Sequence, residues 1–133
     1  EIRWGVAIAD HIEGPYIKSP YNPITQSGHE ICVWPYKGGI ALAHCVDGPE
    51  KETIQLSPDG INFEIMAYVE DVPEAMGLVT TFDNDEHPTA ALTWGLCHES
   101  VVYPGESWMS GDNFIKRFSF SPNKRTIANT QGK

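Results

Sequence analysis

The stretch Ser27-Gly28-His29-Glu30 lies where a polar loop runs into an apolar segment. A histidine beside a glutamate brings together two groups with different intrinsic pKa values. Glycosidic cleavage needs one group that protonates the leaving oxygen and a second group that activates water. The same two side chains could instead cap the entrance to a strand. Their spacing alone leaves the catalytic and structural interpretations open.

Four side chains are of metal-ligand type: His29, Cys32, His44 and Cys45. His44 and Cys45 are adjacent in a predicted strand and would point to opposite faces. A turn at Gly38-Gly39 would place Cys32 opposite Cys45, which favours a packed thiol pair over a zinc site. We therefore assign no metal ligand, although a divalent cation remains open as a cofactor.

Two other groups of residues have functional alternatives. The acidic loop Asp83-Asn-Asp-Glu-His87 could hold a hard cation, but it lacks the spacing of a calcium loop and favours a solvated loop. Aromatic side chains could form sugar-stacking faces, although core packing is their more common fate. These are Trp34, Tyr36, Trp94 and Trp108.

The composition limits the class of partner. The 133 residues carry 18 acidic and 9 basic side chains, for a net charge of −9. This balance argues against nucleic acid and anionic membranes, and it favours a neutral small molecule or sugar. No apolar run is long enough for a membrane span, and no signal peptide is visible. An odd count of three cysteines suggests free thiols, so we expect a cytoplasmic or periplasmic location.

The chain is predicted to be all-β and to form a single domain over residues 1–133. Its apolar runs are short, rich in β-branched and aromatic residues, and separated by Gly and Pro. A single helical turn is predicted at residues 72–76, since Pro73 suits a first helical position. Strands are predicted at residues 3–9, 16–18, 31–36, 40–47, 53–56, 63–69, 92–98 and 113–120.

Two hairpin signals and a weak repeat refine this prediction. Gly38-Gly39 and Asp59-Gly60 are strong turn signals, whereas Pro35 suggests an edge position or a bulge in its strand. Sliding the sequence by about 47 residues places Ala9-Asp10 on Leu56-Ser57, and a repeat of that length is typical of a propeller blade. The pattern alone favours a propeller and a β-sandwich about equally.

Longer motifs carry a more specific resemblance. They are Trp4-Gly-Val-Ala-Ile-Ala-Asp10, Tyr21-Asn-Pro-Ile24, Ser27-Gly-His-Glu30, Val33-Trp-Pro-Tyr-Lys-Gly-Gly39, Asp47-Gly-Pro-Glu-Lys51 and Asp59-Gly-Ile-Asn-Phe63. Together they closely resemble glycoside hydrolase family 117, the α-1,3-(3,6-anhydro)-L-galactosidases or neoagarobiose hydrolases of agar degradation. The match is dense over residues 2–77 and returns at Trp94-Gly-Leu96 with His98.

The resemblance implies a five-bladed β-propeller, of which this chain would form about the last two blades. It implies inverting removal of 3,6-anhydro-L-galactose from the non-reducing end of neoagaro-oligosaccharides, which are neutral substrates. His29 would be the catalytic general acid, and Glu30 would contact the sugar in the active site.

The chain also departs from the family pattern. The family's aspartate base and a second aspartate come from preceding blades, and its N-terminal dimerisation helix is not matched here. We therefore expect the C-terminal part of a longer catalytic domain, which oligomerises or binds a complementary propeller segment. A non-catalytic sugar-binding propeller fragment and a related arabinoside or xyloside hydrolase are the alternatives.

Overall fold

The fold consists of antiparallel β-strands. The computed structural model describes residues 3–44, 47–69, 72–78, 94–107, 110–119 and 125–127, and no helix occurs in these ranges. The ten described strands are β1 (Ala7–Ile8), β2 (Ile17–Lys18), β3 (Ile31–Tyr36), β4 (Gly39–His44), β5 (Thr53–Ser57), β6 (Glu64–Val69), β7 (Gly77–Leu78), β8 (Trp94–Val101), β9 (Asp112–Ser119) and β10 (Arg125–Ile127). The all-β prediction is confirmed for the part of the chain described.

The strands form three sheets. β1 pairs with β2, the five-stranded sheet has the order β10-β6-β5-β4-β3, and the three-stranded sheet has the order β7-β8-β9. β3 lies at one edge of the five-stranded sheet, so Pro35 occupies an edge strand as predicted. The other edge is formed by β10, which was not predicted as a strand.

The two faces of the five-stranded sheet differ in chemistry. Side chains alternate between faces along each strand. One face contributes Trp34, Ala43, Ile54 and Ala67 to an apolar core that also contains Cys97 of the three-stranded sheet. On the opposite face, His44 lies opposite Thr53, and both side chains are fully buried. A polar layer is therefore enclosed on the side of the sheet away from the apolar core.

Hydrogen bonds join the N-terminal segment at Trp4 and Val6 to residues 22–27. The Asn22 side chain accepts a hydrogen bond from the Val6 N–H at 2.8 Å and donates one to the Val6 carbonyl at 2.9 Å. The Ile24 N–H donates to the Trp4 carbonyl at 2.9 Å, and the Trp4 N–H donates to the Ser27 carbonyl at 3.3 Å. These bonds hold the segment that leads into the Ser27–Glu30 motif.

The register of the β3–β4 hairpin corrects one prediction. Its two-residue turn is Lys37-Gly38, both with positive φ, and Cys32 pairs with Ala43 instead of Cys45. Gly39 begins β4 because a Cβ atom there would lie 2.2 Å from the Ser57 carbonyl oxygen. The close approach of β5 therefore requires glycine at the first position of β4, and the turn lies one residue earlier than predicted. Cys45 lies outside the described residues.

Two local predictions had different outcomes. Residues 72–76 form a turn at Glu74 and Ala75 and no helical turn, with Ala75 at a φ of 46°. Such a positive φ is incompatible with a right-handed helix. The turn predicted at Asp59-Gly60 is present, and the Asp59 carboxylate accepts hydrogen bonds from the Ile61 and Asn62 N–H groups, each at 2.8 Å. Hydrogen bonds from the Asn62 and Ile61 backbones hold the pKa of Asp59 well below its ordinary value.

Both copies of the weak repeat form an antiparallel strand pair, but the registers of the two pairs differ by one residue. The repeat aligns Ala9 with Leu56 and Ile17 with Glu64, and Leu56 pairs with Glu64 in the β5–β6 hairpin. In the β1–β2 pair, Ile17 is opposite Ile8 instead of Ala9. Within the described ranges, no helix is long and apolar enough to cross a membrane.

Candidate functional site

His29 lies at the end of a loop that enters β3. Ser27 and Gly28 are buried, whereas the His29 side chain is 51% exposed. Its φ of 71° is in the left-handed region, which non-glycine residues adopt at a cost of about 1–3 kcal/mol. The loop therefore presents the imidazole to solvent from a strained and otherwise buried backbone.

Glu30 connects this loop to the next sheet. Its side chain is 29% exposed, and Oε2 accepts a hydrogen bond from the Ala75 N–H. Oε1 lies 3.9 Å from His29 Nδ1, which is within ion-pair range but too long for a hydrogen bond. The structure thus brings the two predicted site residues together, and it uses one oxygen of Glu30 for a backbone contact.

Glu50 accepts hydrogen bonds from the backbone of the loop before His29. The sequence did not identify it as a site residue. Glu50 Oε2 accepts hydrogen bonds from the Gln26 N–H at 2.7 Å and the Ser27 N–H at 2.8 Å. The Glu50 N–H in turn donates to the Ser27 Oγ at 2.8 Å. The motif Asp47-Gly-Pro-Glu-Lys51 carried the resemblance, but no local signal indicated that its glutamate reaches back 23 residues.

His44 lies against the same carboxylate. Its ring is fully buried on β4, and Nε2 is 3.8 Å from Glu50 Oε2. Within the described residues neither ring nitrogen has a hydrogen-bond partner. Burial lowers the pKa of His44, and the charge of Glu50 opposes that shift. At neutral pH the ring is therefore uncharged.

The remaining predicted functional residues lie in the core, on the three-stranded sheet or outside the described residues. Trp34 and Tyr36 are buried in the core, as the packing interpretation predicted. Trp94 stacks under the Arg117 guanidinium, 4.8 Å from the ring centroid. The acidic loop at residues 83–87 and Trp108 lie outside the described residues. In the ranges that the structure describes, no three His, Cys, Asp or Glu side chains are placed to hold a metal ion.

A second polar cluster lies on the three-stranded sheet. His98 Nε2 is 3.0 Å from Asn113 Oδ1, and the Ser100 hydroxyl donates to the same oxygen at 2.6 Å. His98 and Ala75 line a groove of about 240 Å³ together with Leu96, Cys97 and Ile115. Because Ala75 also contacts Glu30, this groove begins next to the predicted site.

This geometry suits proton transfer to a ligand at the surface. His29 offers an exposed imidazole, and Glu30 has one oxygen that accepts no hydrogen bond from Ala75. Among the described residues, Glu30 provides the only carboxylate within 4.0 Å of the His29 ring. His29 is thus open to a ligand at the surface, with the Glu30 carboxylate beside it.

Comparison with solved structures identifies the relationship. The chain superimposes on Zg3597, a family 117 glycoside hydrolase produced by the marine bacterium Zobellia galactanivorans, with a TM-score of 0.68 and 37% identity. The match covers 86% of this chain. The chain is a relative of family 117 glycoside hydrolases.

The relationship covers only part of that enzyme. This chain spans 33% of the length of Zg3597. No protein-family model and no curated protein matches the chain. The resemblance to family 117 read from the sequence motifs is confirmed.

Proposed function

We propose that this chain supplies the acid side of an inverting neoagarobiose hydrolase site. The observation that carries the proposal is the Ser27–Glu30 motif in a relative of family 117, with His29 exposed on a buried and clamped loop. The substrate would be a neutral neoagaro-oligosaccharide with 3,6-anhydro-L-galactose at its non-reducing end. The net charge of −9 is compatible with a neutral sugar.

In the proposed reaction His29 donates a proton to the departing glycosidic oxygen. Histidine suits this role because its ordinary titration range is near neutral pH. Glu30 would use its second oxygen to accept a hydrogen bond from a sugar hydroxyl. In inverting enzymes with two catalytic carboxyl groups, acid and base lie about 6.5–9.5 Å apart, which leaves room for the attacking water. The base would come either from a preceding segment or from a partner chain.

The proposed architecture is part of a five-bladed propeller. The five-stranded and three-stranded sheets would be neighbouring blades, and the β1–β2 pair would belong to the blade before them. The apolar core shared by Trp34, Ala43 and Cys97 supports this arrangement, because neighbouring blades pack face to face. A complementary propeller segment would complete the domain.

A non-catalytic sugar-binding fragment is the second candidate. It is favoured by the extent of the match, because this chain spans 33% of the length of Zg3597 and the resemblance puts the family's aspartate base in preceding blades. Such a fragment would keep the sugar contacts of Glu30 without turning over the substrate. A related arabinoside or xyloside hydrolase is the third candidate.

The test is hydrolysis of neoagarobiose by the 133-residue chain, followed by NMR detection of released anhydrogalactose and its initial anomeric form. Titration of the same sugar against 15N-labelled protein measures binding independently. Arabinosides and xylosides serve as comparison substrates.

Release of the inverted sugar that is lost in His29→Asn supports the hydrolase with a base from the chain or its oligomer. Saturable shifts at residues 26–30 without hydrolysis support the sugar-binding fragment. Neither hydrolysis nor binding of neoagarobiose would contradict both, and preferential cleavage of arabinosides or xylosides would establish the third candidate.

A further inference from the structure

One oxygen of the Glu50 carboxylate binds the backbone just before His29, the candidate acid. Glu50 Oε2 accepts two hydrogen bonds from the successive N–H groups of Gln26 and Ser27, at 2.7 and 2.8 Å. The Ser27 hydroxyl accepts the Glu50 N–H at 2.8 Å. Charge-assisted hydrogen bonds of this kind are stronger than those between neutral groups. The two residues therefore form a reciprocal clamp, which we call the Ser27–Glu50 clamp.

The clamp is anchored in the five-stranded sheet. Glu50 lies between β4 and β5, where the Glu52 N–H donates to the His44 carbonyl at 2.9 Å. The Thr53 hydroxyl donates to the Glu50 carbonyl at 2.5 Å. Both bonds join the turn to the two central strands, so the position of Glu50 follows from the sheet.

Close packing leaves little freedom at the clamp. Gly48 has a φ of +86°, and a Cβ atom there would lie 2.4 Å from the Ser27 Oγ. Ser27 is fully buried, and it is two residues before His29. Gly28, which is also buried, is the single residue between Ser27 and His29.

His44 adds a second observation at the same carboxylate. A fully buried histidine without hydrogen-bond partners in the described residues is costly, since its polar nitrogens have left water. Its Nε2 lies 3.8 Å from Glu50 Oε2, the oxygen that accepts both amide hydrogen bonds. The ring lies against the carboxylate at a distance too long for a hydrogen bond. It therefore leaves this oxygen to the Gln26 and Ser27 amides.

We propose that Glu50 is a positioning residue, which holds the backbone of Gln26 and Ser27 so that His29 is presented at the site. The proposal rests on the function proposed above for its catalytic meaning, but the clamp itself is a property of the fold. Glu50 acts through the backbone and does not touch the substrate.

The test compares Glu50→Gln and Glu50→Ala in the full chain by NMR. We expect hydrogen exchange at the Gln26 and Ser27 amides to become about 10- to 100-fold faster in Glu50→Ala, because their acceptor is lost. The His29 ring resonances should shift and broaden in the same variant. Glu50→Gln keeps an acceptor oxygen and should restore much of the protection and the His29 signals.

Ile54→Val is the control for a general loss of stability. Ile54 is buried in the apolar core, on the face of the sheet opposite His44. Ile54→Val is compared with Glu50→Ala under conditions in which both variants have the same stability. If Ile54→Val then changes the Gln26 and Ser27 amides and the His29 resonances as much as Glu50→Ala does, Glu50 is merely structural and the proposal is wrong. Unchanged exchange at Gln26 and Ser27 in Glu50→Ala would also overturn it.

Kinetics separate this proposal from the proposed function. In an active preparation, Glu50→Ala should lower kcat for neoagarobiose about tenfold or more with a smaller change in KM, because misplacement of a catalytic group affects the transition state. An equal loss of kcat in Ile54→Val would contradict positioning. If the wild-type chain neither hydrolyses nor binds the sugar, the proposed function fails, whereas the NMR comparison still decides whether Glu50 positions His29.

Discussion

The Glu30 carboxylate accepts a hydrogen bond from the backbone N–H of Ala75, 45 residues further along the chain. This bond joins the loop that carries the candidate acid to the turn that precedes the three-stranded sheet. Glu30 is therefore both a neighbour of His29 and a connection between two sheets, and a substitution there affects both roles.

Two substitutions separate the roles of Glu30. Glu30→Gln keeps an oxygen that accepts the Ala75 N–H, so its unfolding midpoint in urea should stay close to wild type. Glu30→Ala removes that oxygen and should lower the free energy of unfolding by about 1 kcal/mol. If Glu30 contacts the sugar, Glu30→Gln should still impair turnover. Unaltered kinetics in Glu30→Gln would assign Glu30 a structural role only.

His29→Asn should lower turnover by about 10²- to 10⁴-fold, the usual contribution of a general acid. Asparagine tolerates the positive φ of this position better than alanine, so the loop should keep its shape. Steady-state rates of neoagarobiose hydrolysis measure the effect in an active preparation. The exposed His11 provides the matched control, and His11→Asn should retain wild-type rates. Intact turnover in His29→Asn would remove His29 from the mechanism.

Ile54→Ala should lower the free energy of unfolding by about 2–5 kcal/mol, because the side chain is fully buried in the core between the sheets. Ile12 is 91% exposed, so Ile12→Ala should change stability by less than about 0.5 kcal/mol. Urea denaturation followed by tryptophan fluorescence provides both values. Equal effects of the two substitutions would contradict the described core.

Stability should fall as the pH is lowered below about 6.5, the ordinary pKa of histidine. Burial lowers the pKa of His44 in the folded chain, so the unfolded chain binds its proton at a higher pH. Protonation therefore stabilises the unfolded state first on acidification, although the adjacent Glu50 carboxylate reduces the difference. Urea midpoints between pH 7.5 and 5.5 measure this slope.

The variant His44→Gln should show a shallower dependence on pH in this range, whatever its stability at pH 7.5. Comparison of slopes instead of absolute midpoints removes the packing cost of the substitution. Identical slopes in the two proteins would show that His44 does not contribute to the pH dependence.

The isolated chain is expected to self-associate. Ile12, Ile17 and Tyr21 are 91%, 71% and 69% exposed on the N-terminal segment, and exposed large apolar side chains favour association. Light scattering over a range of protein concentrations measures the mass in solution. Ile17→Thr, which keeps a β-branched residue in β2, should reduce association. A heat-stable monomer at all concentrations would contradict this expectation.

The sequence determined most of the strands and the location of the candidate site. β3 has the predicted bounds, and β4, β5 and β6 differ from prediction by a few residues at their ends. Their short β-branched and apolar runs are a local signal, because a strand between other layers buries both of its faces. The short strands β7 and β10 lack such a signal and form by pairing with β8 and β6.

Tertiary structure decided how the site is held. The closeness of Gly39 to Ser57 requires glycine at the start of β4, and local sequence could not reveal that distance. The hydrogen bonds from Ser27 to Glu50 and from Ala75 to Glu30 join residues far apart in sequence. Such contacts form only when the sheets bring distant backbone groups together, and burial then requires each polar group to find a partner. The motif therefore indicated which residues could do chemistry, and the packed fold determined their exposure, strain and support.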